Sequence, residues 1–225
     1  MKWKTCILWD VRFQIKYGFY LLYGLLTLLY LLLLHALPAP WRQNAAAILI
    51  LSDPAAMGMF FMGAIVLLEK SQRVPWALAA SPVSAARYTA AKTISLSLIA
   101  LVVAGILAYS VSMPSLPQVL AGTLLCSFIF TLLGIVIAAR VTSLNQFILW
   151  TVPVETVGFL PAILHLFRPS ASMLQYWPTS FCIDMIVGKG LCVPSLIITL
   201  AAIALLFPAA RQSVQKMWNR TGGAA

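Results

Sequence analysis

Residues 69–92 read EKSQRVPWALAASPVSAARYTAAK and carry one of the chain's five acids and four of its fifteen basic residues between two long apolar runs. In a chain that is 62 % apolar and only 9 % charged, such a polar break belongs outside the hydrocarbon or buried within protein. The flanking runs are therefore read as membrane spans and the break as a corner between them.

Glu69 closes the upstream run, where the helix dipole disfavours a carboxylate by about 0.3–1 kcal/mol. It needs a cation, and Arg73 at i+4, Arg87 and Lys92 are the candidates; a solvated interfacial carboxylate is the alternative. Pro75 suits the first turn of a short helix through Trp76 and Ala79, and Ser81-Pro82 reads as the cap and first residue of the next one. Trp76 and Leu78 would then offer an apolar knob to a partner or pack back on the interface.

Upstream, the spacing of Trp3, Ile7, Leu8, Val11 and Ile15 predicts an interfacial helix with Lys4, Asp10, Arg12 and Lys16 off its apolar face; a fraying basic tail is the alternative. Span one covers about 17–37, too long for a cleavable signal and so an uncleaved helix, with His35 at its polar end. Span two covers about 46–68. Either Asp53 caps a helix begun by Pro54, or the helix continues through a proline kink. Met57, Met59 and Met62 alternate there with Gly58 and Gly63, a pattern that fits an adaptable ligand surface or plain helix packing.

Downstream, spans three and four cover about 86–110 and 117–139, and Ser143 with Gln146 forms a capping box opening span five, about 145–167. Span five holds Glu155 near mid-depth between Pro153 and Pro161, a costly place for an acid. Residues 168–192 form the longest outer segment, and span six, about 193–210, leads to a basic tail. Lys2, Lys4, Arg12, Lys16, Lys70, Arg73, Arg87, Lys92, Arg140, Arg211, Lys216 and Arg220 fall on one side, against Arg42, Arg168 and Lys189 on the other. That bias predicts six spans with both termini cytoplasmic, in a single membrane domain over 1–225.

The net charge of +10 is spread over short inter-span segments rather than gathered in one patch, as orientation signals are, which argues against nucleic acid as a partner; the cations of the amino-terminal helix would meet anionic lipid. Cys6, Cys126, Cys182 and Cys192 show no metal-ligand spacing, and only Cys182 and Cys192 share the outer side, where a disulfide is permitted. GxxxxGK[ST], HExxH and GxSxG are all missing, so no ATP site, zinc-protease site or serine elbow is expected, and no cofactor in this chain.

Glu69 at the end of a Gly-containing span, followed by LAASPVSAARYTAAK, resembles the Glu and Ser/Thr-Pro-Val/Leu signature of type-2 ABC exporter permeases. KYGFY before span one, LSDPAAMGMFFMGAIVLLEK, RVTSLNQF and FLPAIL extend the resemblance, which is nearest to the small bacterial permeases named for fluoroquinolone export. One departure is Lys70-Ser71-Gln72-Arg73, where many relatives place another acid or a glycine.

The resemblance implies an all-α, six-span permease of the bacterial inner membrane with an amino-terminal interfacial helix, a cytoplasmic coupling helix and an outer re-entrant segment within 168–192. Glu69, Arg73, Pro75, Trp76, Ser81 and Pro82 would form the region that meets a cytosolic ABC ATPase, with ATP and magnesium bound on that partner. A second permease subunit, identical or not, would complete a dimer. Glu155, with Met59 and Met62, would line the pathway for a drug-like or amphipathic compound; hydrogen bonding to a neighbouring hydroxyl is the other reading of Glu155. The chain would be a non-catalytic subunit; an ATP-independent channel or carrier, or less readily an intramembrane enzyme, are the other classes.

Overall fold

The computed structural model describes residues 3–168 and 173–222. Lys2, the side chains of Trp3 and Lys4, and residues 169–172 of the expected outer segment lie outside that description. All described secondary structure is helical: α1 (Trp3–Lys16), α2 (Phe19–Ala36), α3 (Ala39–Ser52), a π-helical segment (Asp53–Gly58), α4 (Met59–Ser71), α5 (Val74–Ala79), α6 (Ala85–Ser110), α7 (Leu116–Arg140), α8 (Leu144–Phe167), a 3-10 turn (Leu174–Tyr176), α9 (Pro178–Val187) and α10 (Val193–Gly222).

Among the described residues, five helices, α2, α6, α7, α8 and α10, are long and apolar enough to cross a membrane. Burial separates two kinds. The most apolar windows of α6 and α7 are 61 % and 56 % buried, whereas those of α2, α8 and α10 are each 17 % buried, so α6 and α7 form the centre and the others present broad apolar faces outward. Close approach at the centre is set by small residues: a Cβ on Gly122 of α7 would stand 2.7 Å from the Cys182 carbonyl of α9, and one on Gly63 of α4 would meet the Phe147 ring of α8 at 2.2 Å.

The expected second span is the divided one. Asp53 donates its N–H to the Leu49 carbonyl and continues the helix instead of capping a new one. Pro54 has no N–H for the carbonyl of Ile50, and the backbone widens into a π segment there, the common answer to a mismatch within a helix. This segment lies beside the middle of α7, because the Leu51 carbonyl is 3.9 Å from Cys126 Sγ and Gly58 packs toward Thr131.

Two other expectations shift. Ser84, not Ser81, caps α6 by accepting the Arg87 N–H. The tail after span six is helical and packed: α10 runs on to Gly222, with Val214, Met217 and Trp218 buried and the Trp218 ring edge-on to Tyr88 at 5.7 Å. Cys182 is buried and Cys192 exposed, and both thiols are free. The capping box at Ser143 forms with its partner moved by one residue, since Gln146 Oε1 accepts from Thr142 rather than from Ser143.

Candidate functional site

The corner between α4 and α6 begins where α4 ends at Ser71 and the chain turns through Arg73, which adopts the left-handed conformation at φ 59°. A side chain is uncommon in that region, and here it allows α4 and the six-residue α5 to meet at a sharp angle. Pro75 is buried on the first turn of α5. Trp76 is 47 % exposed, with the Arg73 guanidinium over its ring at 5.4 Å. Ser81 donates its hydroxyl to the Leu78 carbonyl and accepts the Val83 N–H, which closes the α5–α6 turn, and Pro82 is exposed.

Behind the corner lies a sealed charge cluster. Glu69 is fully buried and ion-paired through Oε1 to Lys92 Nζ of α6 at 2.6 Å, while Tyr88 donates its hydroxyl to Oε2 at 2.5 Å. Lys92 is buried as well and pairs with a second carboxylate, Asp10 of α1. Ser95 donates to Asp10, and Gln14 donates to both Asp10 (2.8 Å) and Ser95 (2.9 Å). Tyr88, Phe13 and Trp9 surround the ammonium with ring centroids at 5.2, 5.7 and 5.9 Å. A buried ion survives only with this degree of pairing, because desolvation costs several kcal/mol per charge.

Of the three cations that the sequence offers Glu69, the structure selects Lys92. Arg73 is turned away by its left-handed backbone and stacks on Trp76 instead. Asp10, Gln14 and Ser95 escape sequence reasoning. Leu8 and Ile15 of the α1 apolar stripe are 60 % and 57 % exposed, while Cys6, Asp10, Phe13 and Gln14 form a second stripe that turns toward α6. The 6, 10, 13, 14 spacing is a helical stripe that mixes polar with apolar residues, so only its partner Lys92 distinguishes it.

Lys70 fastens the other flank. Its ammonium bonds the carbonyls of Ala138 (2.7 Å), Ala139 (3.2 Å) and Val141 (2.7 Å), groups left without helical partners at the end of α7. Gln72 bonds the Tyr17 hydroxyl at the α1–α2 joint. A cavity of about 420 Å³ opens between α1, α5 and α6, bordered by Trp9, Asp10, Arg73, Leu78 and Lys92.

The chain is similar to fluoroquinolones export permease proteins of Mycobacterium tuberculosis. Two such proteins, from two strains, are each 28 % identical over 141 residues, which is 61 % of this chain and 59 % of the length of those relatives. No family model matches the chain. The similarity agrees with the resemblance that residues 69–92 carry in sequence.

The remaining candidates lie apart from the corner. Met59 and Met62 are fully buried, packed where Gly134 of α7 has no side chain. Glu155 is half-buried at the middle of α8, on a helix whose Leu149, Val152, Val157 and Leu160 face outward. Toward the other end of α8, His165 and Lys189 flank Asp184 of α9 at 2.8 and 3.1 Å, a cluster without a sequence motif.

Proposed function

We propose that this chain is the membrane-spanning subunit of an ATP-driven exporter of the type-2 ABC permease kind, with residues 69–92 as the handle by which a separate cytosolic ATPase moves it. The observation that carries this reading is the attachment of the corner. The end of α4, which leads straight into the six-residue α5 with its exposed tryptophan, is tied to α1 and α6 through Glu69, Lys92 and Asp10, and to α7 through Lys70. A push on Trp76 is therefore delivered to three helices at once, because packed helices shift as bodies rather than deform. The similarity to proteins named as export permeases supports the same reading.

In this reading α3, the π segment and α4 together make the second of six spans in one permease domain, and both termini lie in the cytoplasm with the basic inner ends. α1 rests in the inner interface, exposing Leu8 and Ile15 to lipid. α9 belongs to an outer re-entrant segment. Thr179 at its start bonds the Gly158 carbonyl, three helical turns inside α8, whereas Gly188 at its end meets Pro114 and Gln118 at the rim of α7.

The outward apolar face of α8, with Glu155 half-buried in it, is covered by a second permease subunit, since lipid is a poor neighbour for a carboxylate at mid-depth. Glu155 then borders a pathway for an amphipathic, drug-like compound. Met59 and Met62 stand behind that pathway as packing in this conformation. ATP and magnesium bind on the partner, and this chain adds no catalytic group.

The test is reconstitution with a candidate cytosolic ABC ATPase from the same organism. Trp76→Ala is expected to leave the subunit folded while ATP hydrolysis and transport come apart. Full coupling in that variant, or substrate movement by the chain without any ATPase, refutes the handle and favours a channel or carrier. Glu155→Gln is expected to slow export of cationic compounds selectively; an unchanged rate and specificity remove Glu155 from the pathway.

A further inference from the structure

The acids of the chain are few, and their places are known. Lys92 engages Asp10 and Glu69, Asp184 sits between His165 and Lys189, and Asp53 and Glu155 stand at mid-depth. No acidic side chain is therefore left for the cations at the ends of α7 and α10 remote from α9. Three of these do not simply spread over the surface. Arg140, Lys216 and Arg220 converge on one cavity of about 310 Å³ walled by Ala139, Ser213 and Met217. None of the three has an ion-pair partner among the described residues, and Lys216 and Arg220 at i, i+4 repel each other along α10. A second cavity of about 220 Å³ shares Arg140 and Arg220 with the first and reaches beneath the corner to Lys70 and Trp76.

We infer that this cavity binds the phosphate of an anionic phospholipid in the adjoining leaflet. Two guanidinium forks and an ammonium suit non-bridging phosphate oxygens, whose geometry guanidinium matches in pairs. What selects a lipid over a soluble anion is the face above the cavity. Eleven residues bring an α-helix round to nearly the same bearing, so Leu205 lies in line with Lys216 and about 16 Å further into the membrane. Leu205 is 76 % exposed and Ile198, in the same line, 40 %, so the wall next to the cations is an open apolar track of acyl-chain length. Basic pockets between membrane helices hold anionic headgroups in this way. The orientation rule alone asks for cations at this end but not for their convergence on a walled cavity with an apolar track beside it. The site goes beyond the exporter reading and requires only that α10 crosses a bilayer. Its second cavity brings the lipid to the underside of Trp76, which makes the leaflet's charge a regulator of the corner.

The experiment uses the purified full chain in non-ionic detergent, with native mass spectrometry and thermal unfolding as readouts. The additions are dioleoylphosphatidylglycerol, dioleoylphosphatidylcholine or inorganic phosphate. Phosphatidylglycerol is expected to remain bound and to raise the Tm, and phosphatidylcholine to do neither. Arg140→Gln with Arg220→Gln is expected to weaken phosphatidylglycerol retention about thirtyfold, at about fivefold per cation. Arg12→Gln with Lys16→Gln, which removes the same charge from exposed positions of α1, is expected to weaken it less than threefold. If the double variant does not fold, Lys216→Gln alone tests the site, with about a fivefold loss expected. Equal retention of both lipids, undiminished retention in the cavity variants, or equal loss in the α1 control overturns the site. So does inorganic phosphate that raises the Tm as much as phosphatidylglycerol, since that assigns the cavity to a soluble anion.

Discussion

The two acids at the corner and the two at mid-depth are the same chemical groups treated in opposite ways. Glu69 and Asp10 are buried and share Lys92, with hydroxyl and amide donors completing their contacts. Asp53 is buried just as deeply, but neither of its carboxylate oxygens has a partner among the described residues, and Glu155 sits half-buried on an outward face without one. A paired buried charge holds helices in one arrangement, because separating it strands both ions. An unpaired one carries its desolvation cost without recovering it in this arrangement. The corner is thus held in one arrangement by paired charges, and Asp53 and Glu155 are where the described residues leave carboxylate interactions unmade.

Removing the shared cation should produce the largest effect. Lys92→Met strands two carboxylates and is expected to destabilise the protein by about 3–5 kcal/mol, seen as a large fall in Tm or loss of folded material. Combining it with Asp10→Asn and Glu69→Gln should restore much of the loss. Failure of that rescue would mean that packing of the lysine stem, not its charge, holds the cluster. Tyr88→Phe tests a single spoke: losing the hydroxyl from Glu69 is expected to cost about 1–3 kcal/mol in thermal unfolding, with the ring still edge-on to Trp218.

The contrast is sharpest at Asp53. Because no bond is lost there and a desolvated carboxyl is replaced by a neutral amide, Asp53→Asn is expected to leave the Tm unchanged or to raise it, despite complete burial. A loss as large as that of Asp10→Asn would show that the two regions do not differ.

Much of the fold could be read before any coordinates. Apolar runs of span length place α2, α6, α7, α8 and α10, and the caps at Ser143 and Pro75 come within a residue because capping is local chemistry. The misses have a common cause. Asp53-Pro54 has the residues of a cap, but the helix runs on from α3 through a π segment that packs beside α7. Ser81 has the residues of a cap too, yet its hydroxyl serves the end of α5, and Ser84 takes the role. The run after residue 210 looks like a polar tail because its buried stripe of Val214, Met217 and Trp218 needs α6 and α7 to make sense.

Composition, span length and the charge bias were enough to make this a polytopic membrane protein with a polar corner at residues 69–92, since hydrocarbon admits no other arrangement of such a chain. The sequence also pointed Glu69 toward a cation, because the helix dipole disfavours a carboxylate at a helix's carboxyl end, but it left a solvated carboxylate open. Only the tertiary structure decided which one. Asp10 and Lys92 are 82 positions apart, with α2, α3, the π segment, α4 and the corner between them, and no local rule relates them. They meet because α1 folds back on α6, and burial then makes their pairing obligatory.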